Sequence, residues 1–513
     1  MRFALFHIRN FIMKKIILLI CALFFMLCLV ACVAPKDDGT ADTDTDIEYT
    51  VGLEYLSNGD GTCYVFSIGE AKNVENIIIP PVSPQGETVT GICKGAFFNY
   101  GECIENGTAG LKKIKSFVLP DTIEYIGSQA FCSADIASFD LGEGSMTIDY
   151  GAFADLKGVY EIVLSPNTVS IGEMAFSGSG IQRLHVPAGV INIGPQAFEN
   201  CTSLAKVTFE EGDAPLVIES SAFEGCRQIE IITFPARTVE IGSYAFSNCC
   251  GLWSVNFPDG LEKLGERAFS GCEMLRGAEL PEGIDEIGEG VFSGCRALRS
   301  VTLPDDMTEL PADFLRNCRL LDKVELPDGL TKIGSNALAY CGQLTELELP
   351  DGLVTLESDA LAGLSITELV IPDSVTTIGK GVLSYCRELE RVRLPSGMSR
   401  VPEYMFSYCS SLCSITLPDG VKHIGSYAFL LCEKLSTINF PEGLSGISDR
   451  AFSRCPNLKE VTLPNSITYL GLDCFSSELE NIYYQGLEEQ FEKVEIDIAN
   501  TIFFSNRLVF LEQ

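Results

Sequence analysis

A proline that returns every 23 residues constrains this chain more than any other feature. It runs from Pro235 through Pro258, Pro281 and Pro304 to Pro464, with a single step of 22. A cysteine keeps the same interval from Cys226 to Cys455, and an aromatic keeps it at Phe246, Phe269, Phe292, Phe406, Phe429, Phe452 and Phe475. Looser copies place that aromatic at Phe97, Phe131, Phe153, Phe176, Phe198 and Phe223, and Leu315, Leu338, Leu361 and Leu383 fill the slot between. The template is C-x-x-L-x-x-V-x-L-P-x-x-(V/I/L)-x-x-I-G-x-x-A-F-x-x, in about 17 copies. Length alone would suggest roughly three domains of ~150 residues. A short fixed period means instead that stacked units share one elongated core.

Each template position has a physical reading. Alternation in V-x-L followed by Pro marks a short strand that ends where the chain loses a donor. Leu, Val, Leu, Ile, Ala and Phe face inward, and a single coil cannot cover them, so it must stack. Gly ahead of x-x-A-F permits a tight bend where a side chain would clash. Asp-Gly after the proline, as at Asp259-Gly260 and Asp328-Gly329, is turn chemistry. A 23-residue coil is too short for a strand, a full helix and two corners. The expected fold is a mainly β solenoid, with a parallel sheet on the concave face and short strand or 3₁₀ segments opposite. At ~4.8 Å per stacked strand the body is roughly 80 Å long. Open solenoid ends expose core and strand edge, so caps are expected. Leu53 to Ile79, with Asn58-Gly59-Asp60-Gly61, reads as a hairpin cap. Leu487 to Val494 reads as an amphipathic segment, followed by closing strands at Ile502-Phe503-Phe504 and Leu508-Val509-Phe510.

The template resembles the BspA-like, or treponemal-type, leucine-rich repeats over about residues 85–478. The motif L-P-x-x-(V/I/L)-x-x-I-G-x-x-A-F carries the resemblance. It implies a curved leucine-rich-repeat solenoid on a bacterial surface, in a family with members implicated in adhesion to host proteins or other cells. Two departures stand out. Asp213-Ala214-Pro215 breaks the proline column and stretches one repeat to 25 residues, and an insertion near Gly101 to Gly110 stretches the first interval to 34.

The N-terminus reads as an export signal. Lys14-Lys15, an apolar run from Ile16 to Val30 and a small Ala31 are signal-peptide features, and the run is short of the ~20 residues of a spanning helix. Met13 is a candidate start codon beside Met1. Leu29-Val30-Ala31-Cys32 resembles a bacterial lipobox, which makes Cys32 the expected lipidation site; the alternative is an ordinary signal with an incidental cysteine. Val33 to Glu48 is acidic, small and free of aromatics, so it cannot bury enough surface to fold. The expected organisation is therefore a signal peptide (1–31), a lipidated cysteine and tether (32–48), an N-terminal cap (49–84), the solenoid (85–478) and a C-terminal cap (479–513).

Composition excludes several functions. The net charge is −34, and the expected signal segment takes four basic residues and no acid with it. Such a chain repels phosphate backbones, so no nucleic-acid partner is expected. Two histidines follow the signal, His185 and His423, and no catalytic constellation or nucleotide motif is visible by spacing. Neither an enzyme nor a cofactor is expected. No C-x-x-C pair suggests zinc; eleven of the 21 cysteines share one repeat column and read as small apolar fillers. Free thiols in such number suit a low-oxygen habitat. Acids after the proline, such as Asp121, Glu282 and Asp373, read as turn formers rather than a calcium ladder, so no metal site is expected.

The outward positions beside the V of V-x-L are the most informative surface. Glu346, Glu348 and Glu368 precede Arg391 and Arg393 along consecutive coils, which makes them candidate partner-binding residues; cross-strand pairing is the plainer reading. Trp253, the only tryptophan, occupies a slot filled elsewhere by Asp322, Thr345 and Glu390, and tryptophan is enriched at binding hot spots. The leading expectation is a lipid-anchored surface protein that binds an extracellular protein or glycan. A structural envelope scaffold without a host ligand is the alternative.

Overall fold

The computed structural model describes residues 47–71, 74–98, 114–497, 503–504 and 506–511. Residues 49–513 form one compact unit, separate from Met1–Glu48. Cys32 and the expected signal and tether up to residue 46 lie outside the described residues.

Most coils contribute two short strands, and within each sheet a strand pairs in parallel with its counterpart in the next coil; both ladders are interrupted in places, so they form several sheets. The first ladder comes from V-x-L: Gly277–Glu279 pairs with Ser300–Thr302, placing Gly277 opposite Ser300. The second comes from the I of x-I-G, in two-residue strands such as Lys263–Leu264 beside Glu286–Ile287. Of the two alternatives left open for that side, strand is the one adopted. The solenoid has about 19 turns, two more than the aromatic column counts. The extra rungs come from the caps, where Thr62–Ser67 pairs with Thr88–Ile92 and Tyr469–Leu470 pairs with Glu495–Ile496.

The apolar columns build the core. Leu298, Val301, Leu303, Leu310, Phe314 and Leu315 of one coil are all buried. Successive phenylalanines stack face to face, with centroids 5.2, 4.9 and 5.1 Å apart along Phe131, Phe153, Phe176 and Phe198. That spacing is the rise of one coil. Each stacked pair adds about 0.5–1.5 kcal/mol beyond the area it buries.

The glycine of x-I-G serves the coil beneath rather than its own turn. A Cβ on Gly265 would stand 2.4 Å from the Ser243 nitrogen, and one on Gly288 would stand 2.3 Å from the Glu266 nitrogen. The bend itself does not need a glycine there; the packing of one backbone on the next does.

The cysteine column has an equally local cause. Cys226, Cys249, Cys272 and Cys295 donate their S–H to the carbonyls of Phe198, Phe223, Phe246 and Phe269 in the preceding coil, at 3.1–3.2 Å. A thiol is small enough to bury and adds a second donor to a carbonyl that already accepts an N–H within its own turn, as Phe223 does from Cys226 at 3.2 Å. All the described cysteines are free. Burial pushes the Cys341 and Cys386 thiols up to about 12.

Two residues per coil adopt left-handed backbone, one just before Ala-Phe and one two places after the Phe. Glycine or asparagine fills many of these sites, as at Gly225, Asn248 and Gly271, but Tyr340, Tyr385, Tyr404, Tyr408 and Tyr427 do so as well. A bulky side chain at positive φ is strained by roughly 1–2 kcal/mol, and the hydrogen bonds of the stack hold it there. Tyr408 donates its N–H to Leu430 at 2.7 Å, and Tyr385 donates to Ser407 at 2.7 Å.

Three of the acids after the proline accept from backbone. Asp121 accepts from the Glu143 N–H at 2.8 Å, Glu282 from Asp305 at 3.0 Å and Asp373 from Ser396 at 2.7 Å. Each of these three carboxylates thus fastens the turn of the following coil.

The irregular repeat at Asp213-Ala214-Pro215 is stitched by Arg237, which is 7% exposed. Its guanidinium donates to the carbonyls of Val190 (2.6 Å), Pro187 (3.1 Å), Glu210 (3.2 Å) and Ala214 (3.4 Å). A planar fork of five donors suits four converging carbonyls as no other side chain does.

At the N-terminal end Glu54–Ser57 pairs antiparallel with Thr62–Ser67 around the Asn58-Gly59-Asp60-Gly61 turn, as a hairpin cap requires. At the other end a helical turn at Glu488–Phe491 is shorter than the expected amphipathic segment, and Phe503 and Phe504 are helical as well. Leu487 points to solvent at 66% exposure while Phe491 and Val494 are buried. Leu508–Phe510 closes the first ladder on Asn481–Tyr484. Phe503 and Phe504 are not in a strand, contrary to expectation, although Phe504 is buried against the core.

Two measurements check this account. Gly265→Ala lowers unfolding stability by about 1–3 kcal/mol through overpacking. Gly329→Ala, whose Cβ meets nothing within 4 Å, changes it by less than about 0.5 kcal/mol. Equal losses in chemical denaturation would refute the role given to the close approach. At pH 8 a thiol reagent modifies exposed Cys413 in the native protein, whereas the column cysteines react only on unfolding. Rapid native labelling of the column would contradict their burial.

Candidate ligand-binding face

The first ladder turns alternate residues outward, and their side chains change from coil to coil. At the first outward position the chain reads Ile231, Ser254, Gly277, Ser300 and Lys323; at the second it reads Thr233, Asn256, Glu279, Thr302 and Glu325. The residues between them, Ile232, Val255, Ala278, Val301 and Val324, are all buried and apolar. Pleating explains the division, since successive side chains point to opposite faces.

Trp253 sits immediately before one of these strands and is 38% exposed. The Arg276 guanidinium of the next coil lies over its ring, 5.7 Å from the centroid. Beside them runs a trough of about 590 Å³, lined by Trp253, Ser254, Asn256, Gly277, Glu279 and Thr302 among others. It continues past Ser300 and Thr302 into a second hollow of about 400 Å³, reaching Lys323 and Glu325.

The acidic and basic group lies four coils further along. Arg391 pairs with Glu368 directly across the ladder and stands 3.8 Å from Glu390. Arg393 instead reaches Asp373 in the turn, at 2.9 Å. The structure therefore joins Glu368 to Arg391 but sends Arg393 away from the glutamates. Glu346 and Glu348 are exposed, and their segment forms no strand, unlike its neighbours Lys323–Val324 and Glu368–Val370. Glu346 stands in the same outward column as Glu368, and Glu348 in that of Glu325. Each thus has one like-charged neighbour in its column, an arrangement that opposes pairing. Exposed ion pairs of this kind add little to stability.

Both histidines lie on outward faces. His185 contacts the Thr208 hydroxyl through Nδ1 at 3.0 Å and Glu210 through Nε2 at 2.9 Å. The line of hydroxyl, imidazole and carboxylate was not visible from spacing, because residues 23 and 25 positions apart meet only once the coils stack. The imidazole contact holds the Glu210 carboxyl below its usual range. With the histidine 47% exposed and the hydroxyl also near the Leu184 carbonyl, the row is a cross-strand contact in open solvent. His423 lies 3.4 Å from the Ser445 hydroxyl, also exposed. Among the described residues, no group of three or more His, Cys, Asp or Glu could hold a metal ion.

A further surface feature lies at the strained turn positions. Tyr385 and Tyr408 stack at 4.5 Å, and Tyr404 and Tyr427 at 5.0 Å, with the Arg450 guanidinium over Tyr427. Recurrence of tyrosine just before Met/Ala-Phe, or two places after the Leu or Phe, was the available signal.

A solenoid of this geometry, with two parallel ladders and no enclosed pocket of catalytic groups among the described residues, defines a leucine-rich-repeat scaffold. The chain belongs to the BspA-type leucine-rich-repeat family: the model of that repeat region matches residues 70–205, 203–322, 308–414 and 399–497. A leucine-rich repeat protein from Bacteroides ovatus shares 23% identity and a TM-score of 0.52, over 91% of this chain and all of that one. A leucine rich cell surface protein from Faecalibacterium prausnitzii shares 23% identity over 90% of this chain and 99% of its own, with a TM-score of 0.40. The pneumococcal vaccine antigen PcpA shares 19% identity over 91% and 99%, with a TM-score of 0.42. No functionally curated protein matches the chain.

As the sole tryptophan, Trp253 makes fluorescence a probe of the trough. Acrylamide quenches its emission in the native state, and Arg276→Ala increases the quenching constant by uncovering the ring. Native emission resistant to acrylamide would show the indole to be packed instead.

Proposed function

We propose that this protein is exported, held to a membrane by lipid on Cys32, and binds an extracellular protein or glycan through its first-ladder face. Its role is then adhesion or contact with a host or another cell, without catalysis and without a cofactor. The carrying observation is the contrast between the two sides of one strand. Inward residues repeat almost unchanged from coil to coil, whereas outward ones differ and include an aromatic beside an arginine. Packing accounts for the inward uniformity. It places no demand on Trp253 or Arg276, whose exposure favours a partner.

Attachment rests on the sequence around Cys32 and on the acidic segment that follows it. Among the described residues no helix is long and apolar enough to cross a membrane. A diacylated or triacylated cysteine would anchor stably where a single chain would not.

Protease shaving of intact cells tests the reading. Peptides from coils between Cys226 and Cys455 are released without lysis, and Cys32→Ser moves the protein from the membrane fraction to the medium. Release only after lysis would favour an envelope scaffold that meets no outside ligand.

A further inference from the structure

We propose that the trough between Trp253 and Gly277 is a docking site for a neutral sugar ring of an extracellular glycan, which deepens the binding role above and rests on it. Gly277 is the first observation. It is the one glycine at the first outward position of the described first-ladder strands, where neighbours carry serine, lysine, arginine or isoleucine. The fold does not ask for it. Its φ is not positive, and a Cβ there would meet only Ser300, at 3.7 and 3.8 Å, an ordinary contact. Glycine weakens a strand interior and commonly marks a place where something outside approaches closely. Here its effect is to open the floor of the trough.

The walls are the second observation. Trp253, with the Arg276 guanidinium 5.7 Å from its ring centroid, forms one side. Ser254, Asn256, Ser300 and Thr302 supply hydroxyl and amide groups around the floor. At about 590 Å³ the trough is within the usual ligand-site range of about 300–1,000 Å³, where a few polar groups orient a ligand against an apolar surface. A pyranose has the matching form, an apolar ring face with hydroxyls at its edge. Continuation toward Lys323 and Glu325 leaves room for further sugars along the coils.

Charge selects within the class. Asp259, Glu279 and Glu282 line the same trough, against the single cation Arg276. Sugar acids, sulfated glycans and phosphates would meet net repulsion, so the occupant is uncharged. An extended peptide gains its affinity by adding a strand to an open sheet edge. The strands Ser254–Asn256 and Gly277–Glu279 at the trough belong to adjacent coils tied by the Arg276 N–H to the Trp253 carbonyl at 3.3 Å, which leaves no width for a further strand between them.

The test uses the purified mature chain, titrated with neutral gluco-, manno- and xylo-oligosaccharides and followed by calorimetry and Trp253 emission. A saturable response is expected with at least one of them. Gly277→Val, which fills the floor, weakens it at least tenfold while the melting temperature holds or rises. Trp253→Ala weakens it at least tenfold by calorimetry. No saturable response at millimolar sugar overturns the proposal, as does binding that Gly277→Val leaves intact. A parallel assay of the chain on whole cells separates the two readings. Cell binding that survives periodate oxidation of surface glycans overturns the sugar site while leaving the adhesive role standing. Absence of any cell binding sinks the adhesive role itself.

Discussion

No coil of this protein can cover its own apolar side, and everything else follows from having to use a neighbour for the purpose. The phenylalanine column is the clearest expression. Phe131, Phe153 and Phe176 are buried only because each lies on the next at about 5 Å. That distance is also the separation of paired strands, so ring stacking and ladder hydrogen bonds demand the same rise. Where the two agree, the period can be kept for hundreds of residues without strain accumulating.

The other columns adjust the same contact. Glycine at 265 and 288 lets one backbone descend onto the next, a thiol adds a second donor to a carbonyl of the coil before it, and at Asp121, Glu282 and Asp373 a carboxylate fastens the following coil. Arg237 shows how a departure is absorbed. One buried guanidinium ties four carbonyls around the longer repeat. The caps close the ends by continuing the ladders, with a hairpin at one end and short helical segments beside the strands at the other.

The fold was legible because inward residues obey the period: Leu298, Val301, Leu303 and Phe292 announce their burial by spacing alone. The family followed from the same columns. Less of the candidate face could be read. Trp253 stood out as an anomaly in its slot, but the trough beside it depends on a side chain that Gly277 lacks, and an absence carries no pattern. The pairing of Arg391 with Glu368 follows from register, whereas the turn of Arg393 toward Asp373 depends on local geometry that spacing does not specify. The missing strand at Glu346 and Glu348 could not be read either, since their apolar alternation matches that of coils that do form one. The strained tyrosines escaped notice because the residue type argues against the backbone they adopt. Only tertiary hydrogen bonds make Tyr385 and Tyr408 tolerable there.

The buried thiols carry one more consequence. Each is silent while its coil is closed, because the stack keeps oxidants out. A coil that opens locally exposes one thiol at a known position, and repeat proteins open in segments rather than all at once. Oxidation of that sulfur would prevent the coil from closing again over a larger, polar group. In an oxidising environment the column would thus turn brief fluctuations into permanent marks, each recording which turn of the solenoid had loosened. A chain built this way ages by its weakest coil.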